Sequence, residues 1–209
     1  MRVARTVGSL LAVLGLALLA VAAAHVATGV RAQRGADAFP GPMVVPQVAP
    51  RATESAAPQM WEEGEAIGRL RIPRLGLDSV VFEGASSATL RKGPGHVAGS
   101  AWLGGSAVGN CVIAGHRDSF FRSLRQAREG DLVVLADAYG VRRYRLESRR
   151  VVKPDEVSVA AATPDARLTL ITCYPFRWIG AAPLRLVWSA SALPPAQAAA
   201  SSLGAAQSR

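Results

Sequence analysis

The sequence offers few groups for nucleophilic or acid–base chemistry: three histidines, His25, His96 and His116, and two cysteines, Cys111 and Cys173. Two thiols are too few for a disulfide scaffold or for a zinc site with paired ligand spacing. No acidic cluster has calcium-loop spacing either, so neither a metal nor another cofactor is expected. A thiol attacks a carbonyl only as the thiolate, and a neighbouring cation or histidine must favour that form. His25 lies in an apolar stretch with no acid or nucleophile nearby in sequence, and His96 sits in Gly93-Pro94-Gly95-His96, where a turn role or a surface ring is the natural reading. His116 ends the apolar run from Asn110 to Gly115, and Cys173 ends another, from Leu168 to Thr172. A strand's end is where a fold delivers a side chain to a site, so His116 and Cys173 are the pair that could meet. Each alone reads equally well as a core thiol or a structural imidazole, and the residues by themselves leave the choice open.

Short apolar runs separated by turn signals would carry these two residues. Ala66–Ile72 alternates and stops at Pro73; Leu77–Glu83 follows Gly76; Asn110–His116 is compact and apolar. Asp131–Ala136 and the run from Tyr139 to Val152 read as a hairpin turning at Asp137–Gly140. Leu168–Tyr174 and Leu184–Ala190 complete the series. Only Ser119–Arg128 and Ala88–Lys92 look helical. Many short strands punctuated by Gly and Pro predict a mainly β fold, a barrel or a sandwich.

Before this domain, Val7–Ala24 carries no charge, with Arg2 and Arg5 on one side and Arg31 and Arg34 on the other. At ~1.5 Å per residue a helix of that length reaches roughly 27 Å, close to a bilayer's hydrocarbon core. The segment reads as an uncleaved membrane anchor, with a cleaved signal peptide as the alternative. The expected organisation is an anchor over residues 1–30 and a Pro/Ala-rich linker over 31–60 that gives reach from the lipid. A catalytic domain over 61–191 follows, and then a disordered Ala/Ser/Gln-rich tail over 192–209. The net charge of +9 is spread along the chain. Its one cluster, Arg142, Arg143, Arg145, Arg149 and Arg150, reads as the solvated face of a twisted strand, so no nucleic-acid partner is expected.

Three segments together carry a resemblance. Thr169-Leu170-Ile171-Thr172-Cys173 is similar to the TLxTC motif of sortases; Val112–Asp118, followed by Phe120-Phe121, resembles the segment around the sortase histidine. Ala182–Val187 resembles the strand that carries the sortase arginine, here Arg185. The order histidine, cysteine, arginine is the family's, and the match spans about Ala66 to Ser191. Cys173-Tyr174-Pro175-Phe176 and its spacing to Pro183 look closest to class D sortases and the related Gram-negative type. The resemblance implies an eight-stranded sortase barrel with short helices behind an N-terminal transmembrane helix. It implies a cysteine transpeptidase that cleaves an LPxTG-like signal and passes the acyl group to an amine, on cell-wall peptide or a protein lysine, or to water. The expected setting is the bacterial cytoplasmic membrane, spanned once, with the domain on the extracytoplasmic side.

Carried over, Cys173 is the nucleophile, His116 the general acid and then base, and Arg185 the group that positions substrate and stabilises the oxyanion. Thr172 either buttresses the site through its hydroxyl or is a plain β-branched strand residue; Asp118 either orients His116 or is a helix N-terminal acid or surface ion pair. Papain-like enzymes place cysteine before histidine, and L,D-transpeptidases need a Ser-x-Gly-Cys context that this sequence lacks. A tethered, non-catalytic binding module is the other alternative. Cys111 stands where the family usually has an aliphatic or small residue. In a regular strand it faces away from His116, and it is expected to fill the core rather than form a disulfide.

Overall fold

The computed structural model describes residues 2–35, 61–103, 108–138 and 140–194. The first element is the helix α1 (Arg2–Gly35). It contains one stretch, Ala12–Arg34, long and apolar enough to cross a membrane, with mean hydropathy 2.1. The helix runs past residue 30, where the linker is expected to begin. The reason lies in its last turns, which are docked rather than free. Gln33 Oε1 accepts the Val80 amide at 2.7 Å, and Gln33 Nε2 donates to the carbonyls of Val80 at 3.3 Å and Lys92 at 3.1 Å. The rest of the expected linker, 36–60, and the expected tail beyond residue 194 lie outside the described residues.

Eight strands follow: β1 (Ala66–Ile72), β2 (Leu77–Glu83), β3 (Gly95–His96), β4 (Gly109–Gly115), β5 (Leu132–Asp137), β6 (Gly140–Val152), β7 (Ala166–Tyr174) and β8 (Leu184–Ala192). They close a barrel in the order β1-β2-β3-β4-β7-β8-β6-β5, with β5 returning to β1. Each strand alternates because one face must fill the barrel. Leu70 and Ile72 of β1, Val81 of β2, Cys111 and Ile113 of β4, Val133 and Leu135 of β5, Tyr144 and Leu146 of β6, Leu168 and Leu170 of β7, and Leu186 and Trp188 of β8 form one buried interior. The β5–β6 hairpin turns where the sequence puts it, with Asp137 opposite Gly140. On β6 the outward residues Arg145, Arg149 and Arg150 are solvated, while Arg142 and Arg143 are half-buried.

β3 has only two residues, so β2 meets the β4 side of the barrel through a narrow seam. The helix α2 (Ser87–Lys92), begun by a Ser86 hydroxyl that accepts the Thr89 amide, crosses from β2 to β3. His96, expected as a turn or surface ring, is buried in β3 instead. Its Nδ1 lies 2.9 Å from Glu83 Oε2 and its Nε2 3.0 Å from Ser100 Oγ. The glycines around it are there for close packing and not for a solvent turn: a Cβ on Gly95 would come within 2.2 Å of the Gly84 carbonyl oxygen. The expected helix Ser119–Arg128 is shorter and tighter, a 3-10 turn over Arg122–Gln126. The Phe121 amide is already spent on the His116 carbonyl at 3.0 Å, and the chain turns extended at Ala127.

Where β3 ends, the edge of β2 lacks a strand partner, and the Gln33 amide takes that place, offering an acceptor and a donor to Val80 as a strand would. Ala32 packs on Val80 and Phe82 just beside it. Gln33→Ala in the full-length protein in detergent micelles is expected to speed exchange of the Val80 amide about fivefold or more, the size of one net hydrogen bond. Unchanged exchange would mean that the helix end does not protect this edge.

Candidate active site

Three neighbouring strands build the site. β4 and β7 run parallel, with Gly109 opposite Ala166 and Gly115 opposite Thr172; His116 follows Gly115 in the chain, and Cys173 follows Thr172. β7 and β8 run antiparallel, and there Cys173 is the direct partner of Arg185. Alternation decides the face. Leu168, Leu170 and Thr172 point inward on β7, so Cys173 points outward; Leu186 and Trp188 point inward on β8, so Arg185 also points outward. On β4 the inward residues are Cys111 and Ile113, and His116 comes directly after the last strand residue, Gly115. Thiol and guanidinium therefore stand side by side outside the barrel, and His116 follows the end of the strand on the other side of β7. All three are half-buried, reachable by a substrate and partly shielded from water. No hydrogen bond joins the three to one another among the described residues.

The backbone beneath them is tightly held. The Thr172 hydroxyl is buried and donates to the Gly115 carbonyl at 2.7 Å, tying β7 to β4 directly below the pair. Gly115 is required by packing: a Cβ there would lie 2.7 Å from the buried Phe121 ring. That ring and the Phe121 amide, bonded to the His116 carbonyl, fix the turn by which the chain leaves β4. Asp118 is exposed and makes no hydrogen bond to His116.

Arg185 curls along its own strand end. Its Nη1 donates to the carbonyls of Leu184 at 2.9 Å and Ala182 at 3.2 Å, and among the described residues Nε and Nη2 have no protein acceptor. A planar, permanently charged donor with free N–H groups beside a thiol can accept negative charge developing on a carbonyl oxygen. Behind Cys173, the Tyr174 ring packs edge-on against Phe176, and the Arg149 guanidinium lies 5.7 Å above it. Neither Arg149 nor Arg117, whose guanidinium reaches the Cys173–Arg185 connection, has a site role in the sequence reading. Their partners lie far along the chain, and in Arg117's case they are backbone carbonyls, which carry no sequence signal.

The two cysteines are both free and occupy opposite environments. Cys111 is sealed in the barrel interior, and burial pushes its thiol far above the ordinary thiol range. Cys173 is partly open to solvent. Among the described residues no group of His, Cys, Asp and Glu could hold a metal ion.

The sortase-domain family model matches residues 70–193. Sortase D of Bacillus subtilis (strain 168) is 34% identical over 127 residues, covering 60% of this chain and 63% of that protein. Sortase A of Listeria monocytogenes serovar 1/2a is 30% identical over 117 residues, covering 54% and 51%. The chain thus spans between half and two thirds of the length of the curated relatives it matches. Among solved structures, sortase C of Clostridium perfringens with the C-terminal cell wall sorting motif superposes with a TM-score of 0.59 at 25% identity, over 64% of this chain and 73% of that one. With more than half of its length matched by the family model and an eight-stranded closed barrel in common with such structures, the chain belongs to the sortase family.

Proposed function

We propose that this chain is a membrane-tethered cysteine transpeptidase acting on proteins with an LPxTG-like sorting signal. The observation that supports the reading is the direct pairing of Cys173 with Arg185 across β7 and β8, with His116 following the end of the neighbouring β4. The Cys173 thiolate adds to the carbonyl carbon after the signal's threonine. The oxyanion that forms is met by the free N–H groups of Arg185 and by backbone amides. As the C–N bond breaks, the protonated His116 ring gives its proton to the departing amine, and the acyl group stays on sulfur as a thioester. An incoming amine then attacks the thioester and passes its proton to His116, and the thiolate leaves as the new amide forms. Water in the amine's place gives hydrolysis. A histidine suits both steps because it gives and takes a proton near neutral pH.

The sorting motif bound in the Clostridium perfringens structure belongs to that protein; the same class of peptide is the substrate proposed here, with an amine on cell-wall peptide or a protein lysine as acceptor. The apolar stretch Ala12–Arg34 supports a tether in the bacterial cytoplasmic membrane. The reading places a single span there and the barrel on the extracytoplasmic side, where wall and substrate are found.

A labelled sorting-signal peptide, incubated with the full-length protein with and without an amine, distinguishes transfer from hydrolysis. Cys173→Ala is expected to abolish both the thioacyl-enzyme and turnover while the fold persists. Arg185→Ala is expected to slow turnover roughly 100- to 1,000-fold, the scale of losing one oxyanion donor. Turnover that survives Cys173→Ala would remove the mechanism.

Cys111→Ser should leave the peptide rate within about twofold while lowering stability by about 1–3 kcal/mol, because a hydroxyl replaces a thiol in an apolar interior. Rate and thermal unfolding measured on one preparation separate the two effects. A rate loss larger than the unfolded fraction accounts for would place Cys111 in the reaction path.

A further inference from the structure

The chain between Cys173 and Arg185 leaves β7 at Tyr174 and enters β8 at Leu184. It contains Pro175 and Pro183, which have no amide to donate, and Gly180 at a left-handed φ of 87°. Within 175–183 no backbone–backbone hydrogen bond is made among the described residues. Side chains hold the segment instead. The Trp178 indole donates to the Ala181 carbonyl at 3.0 Å, and Arg185 takes Ala182. The largest share falls to Arg117. Its Nη1 donates to the Pro175 carbonyl at 3.0 Å, and its Nη2 to the carbonyls of Trp178 at 3.0 Å and Gly180 at 3.4 Å. A guanidinium is suited to this because its donors are fixed in one plane and can span several acceptors at once; an ammonium offers a single point. So braced, the loop turns an apolar edge outward beside Cys173, with Trp178 half exposed and Ile179 fully exposed.

We propose that Arg117 is a positioning residue for substrate binding. By clamping three carbonyls of the segment after Cys173 to the turn that carries His116, it holds that loop and its Trp178–Ile179 edge in the shape a peptide meets. This rests on the reading of the site as a peptide-acyl transferase. Arg117 does not hold His116 and Cys173 together: the β4–β7 ladder and the Thr172–Gly115 bond do that. The brace therefore acts on binding and not on the chemical step. Without it the loop samples many conformations, and each binding event must order it again.

The test uses Arg117→Lys and Arg117→Ala in the full-length protein in micelles. Tryptic nicking after the exposed Arg177, followed on the folded protein by mass spectrometry, is expected to speed up tenfold or more in both variants, on the order expected for three lost hydrogen bonds. KM for an LPxTG-like peptide is expected to rise about tenfold with kcat within about threefold, the ordering cost falling on binding. Lysine should not rescue. Alkylation of Cys173 by a small reagent without peptide should stay within about twofold of the parent, since the thiol's own surroundings are intact. Unchanged nicking after Arg177, a lysine variant that behaves as the parent, or a fall in kcat at constant KM would each overturn the proposal. If the parent protein shows no Cys173-dependent cleavage, the transferase reading is lost, and the nicking measurement still decides whether Arg117 braces the loop.

Discussion

The register of three strands is the constraint on which this site depends. β7 is flanked by β4 running parallel and β8 running antiparallel, and the hydrogen-bond ladders on both sides fix which residues lie abreast. Because side chains alternate, a slip of one residue between β4 and β7 would turn His116 toward the interior or move it out of line with Cys173. The slip is opposed on both faces. Inside, Cys111, Ile113, Leu168 and Leu170 would have to leave the packed interior. Along the ladder itself, the buried Thr172 hydroxyl has its acceptor only at Gly115, and the Thr169 hydroxyl only at the Asn110 side chain, 2.7 Å away in each case. Two buried side-chain bonds thus repeat, at both ends of the strand pair, the register that the backbone sets.

The connection from Cys173 to Arg185 shows the complementary case, in which no ladder is available. A loop with prolines at both ends and a left-handed glycine cannot satisfy its own carbonyls in a compact shape. Its order is supplied from outside by two guanidinium groups, Arg117 from the turn after β4 and Arg185 from the start of β8. The double use of Arg185 has a consequence for the chemistry. Its Nη1 also donates to the Leu184 carbonyl, inside β8 and outside the loop, and this bond orients the guanidinium plane, so that in the proposed reaction little reorganisation is needed when charge develops on a substrate oxygen.

The sequence displayed the elements well and their meetings poorly. Hydrophobic alternation located the strands, the Asp137–Gly140 turn and the inward face of Cys111, because period-two patterning is a direct imprint of a filled barrel. The three motif residues were legible through resemblance, and only through it, since parallel pairing between strands some sixty residues apart leaves no local mark. His96 was misread: glycine and proline around it signal an exposed turn in most contexts, but here they admit a tight backbone crossing that buries the ring against Glu83. The 3-10 turn was read as a longer helix because its apolar spacing is helical, while the competing Phe121–His116 backbone bond is invisible in sequence. Gln33 and Arg117 were missed for a shared reason. Both act on main-chain groups of a distant segment, and a main-chain acceptor has no residue type to recognise.

The two cysteines show how the fold separates reactivity within one residue type. Cys111 and Cys173 lie on adjacent strands, yet they sit on opposite faces of the barrel wall. The ladder neighbour of Cys111 is Leu168, and that of Cys173 is Arg185. Burial makes the Cys111 thiolate inaccessible in energy as well as in space. Cys173 has a permanent cation directly opposite it and is partly open to solvent. In an oxidising compartment outside the cell membrane, two exposed thiols close together would be driven toward a disulfide, and the nucleophile would be lost. Facing apart across the barrel wall, they cannot meet without unfolding β4 or β7. The alternation that fills the barrel with Cys111 therefore also keeps Cys173 free, and stability and reactivity here are two readings of one strand parity.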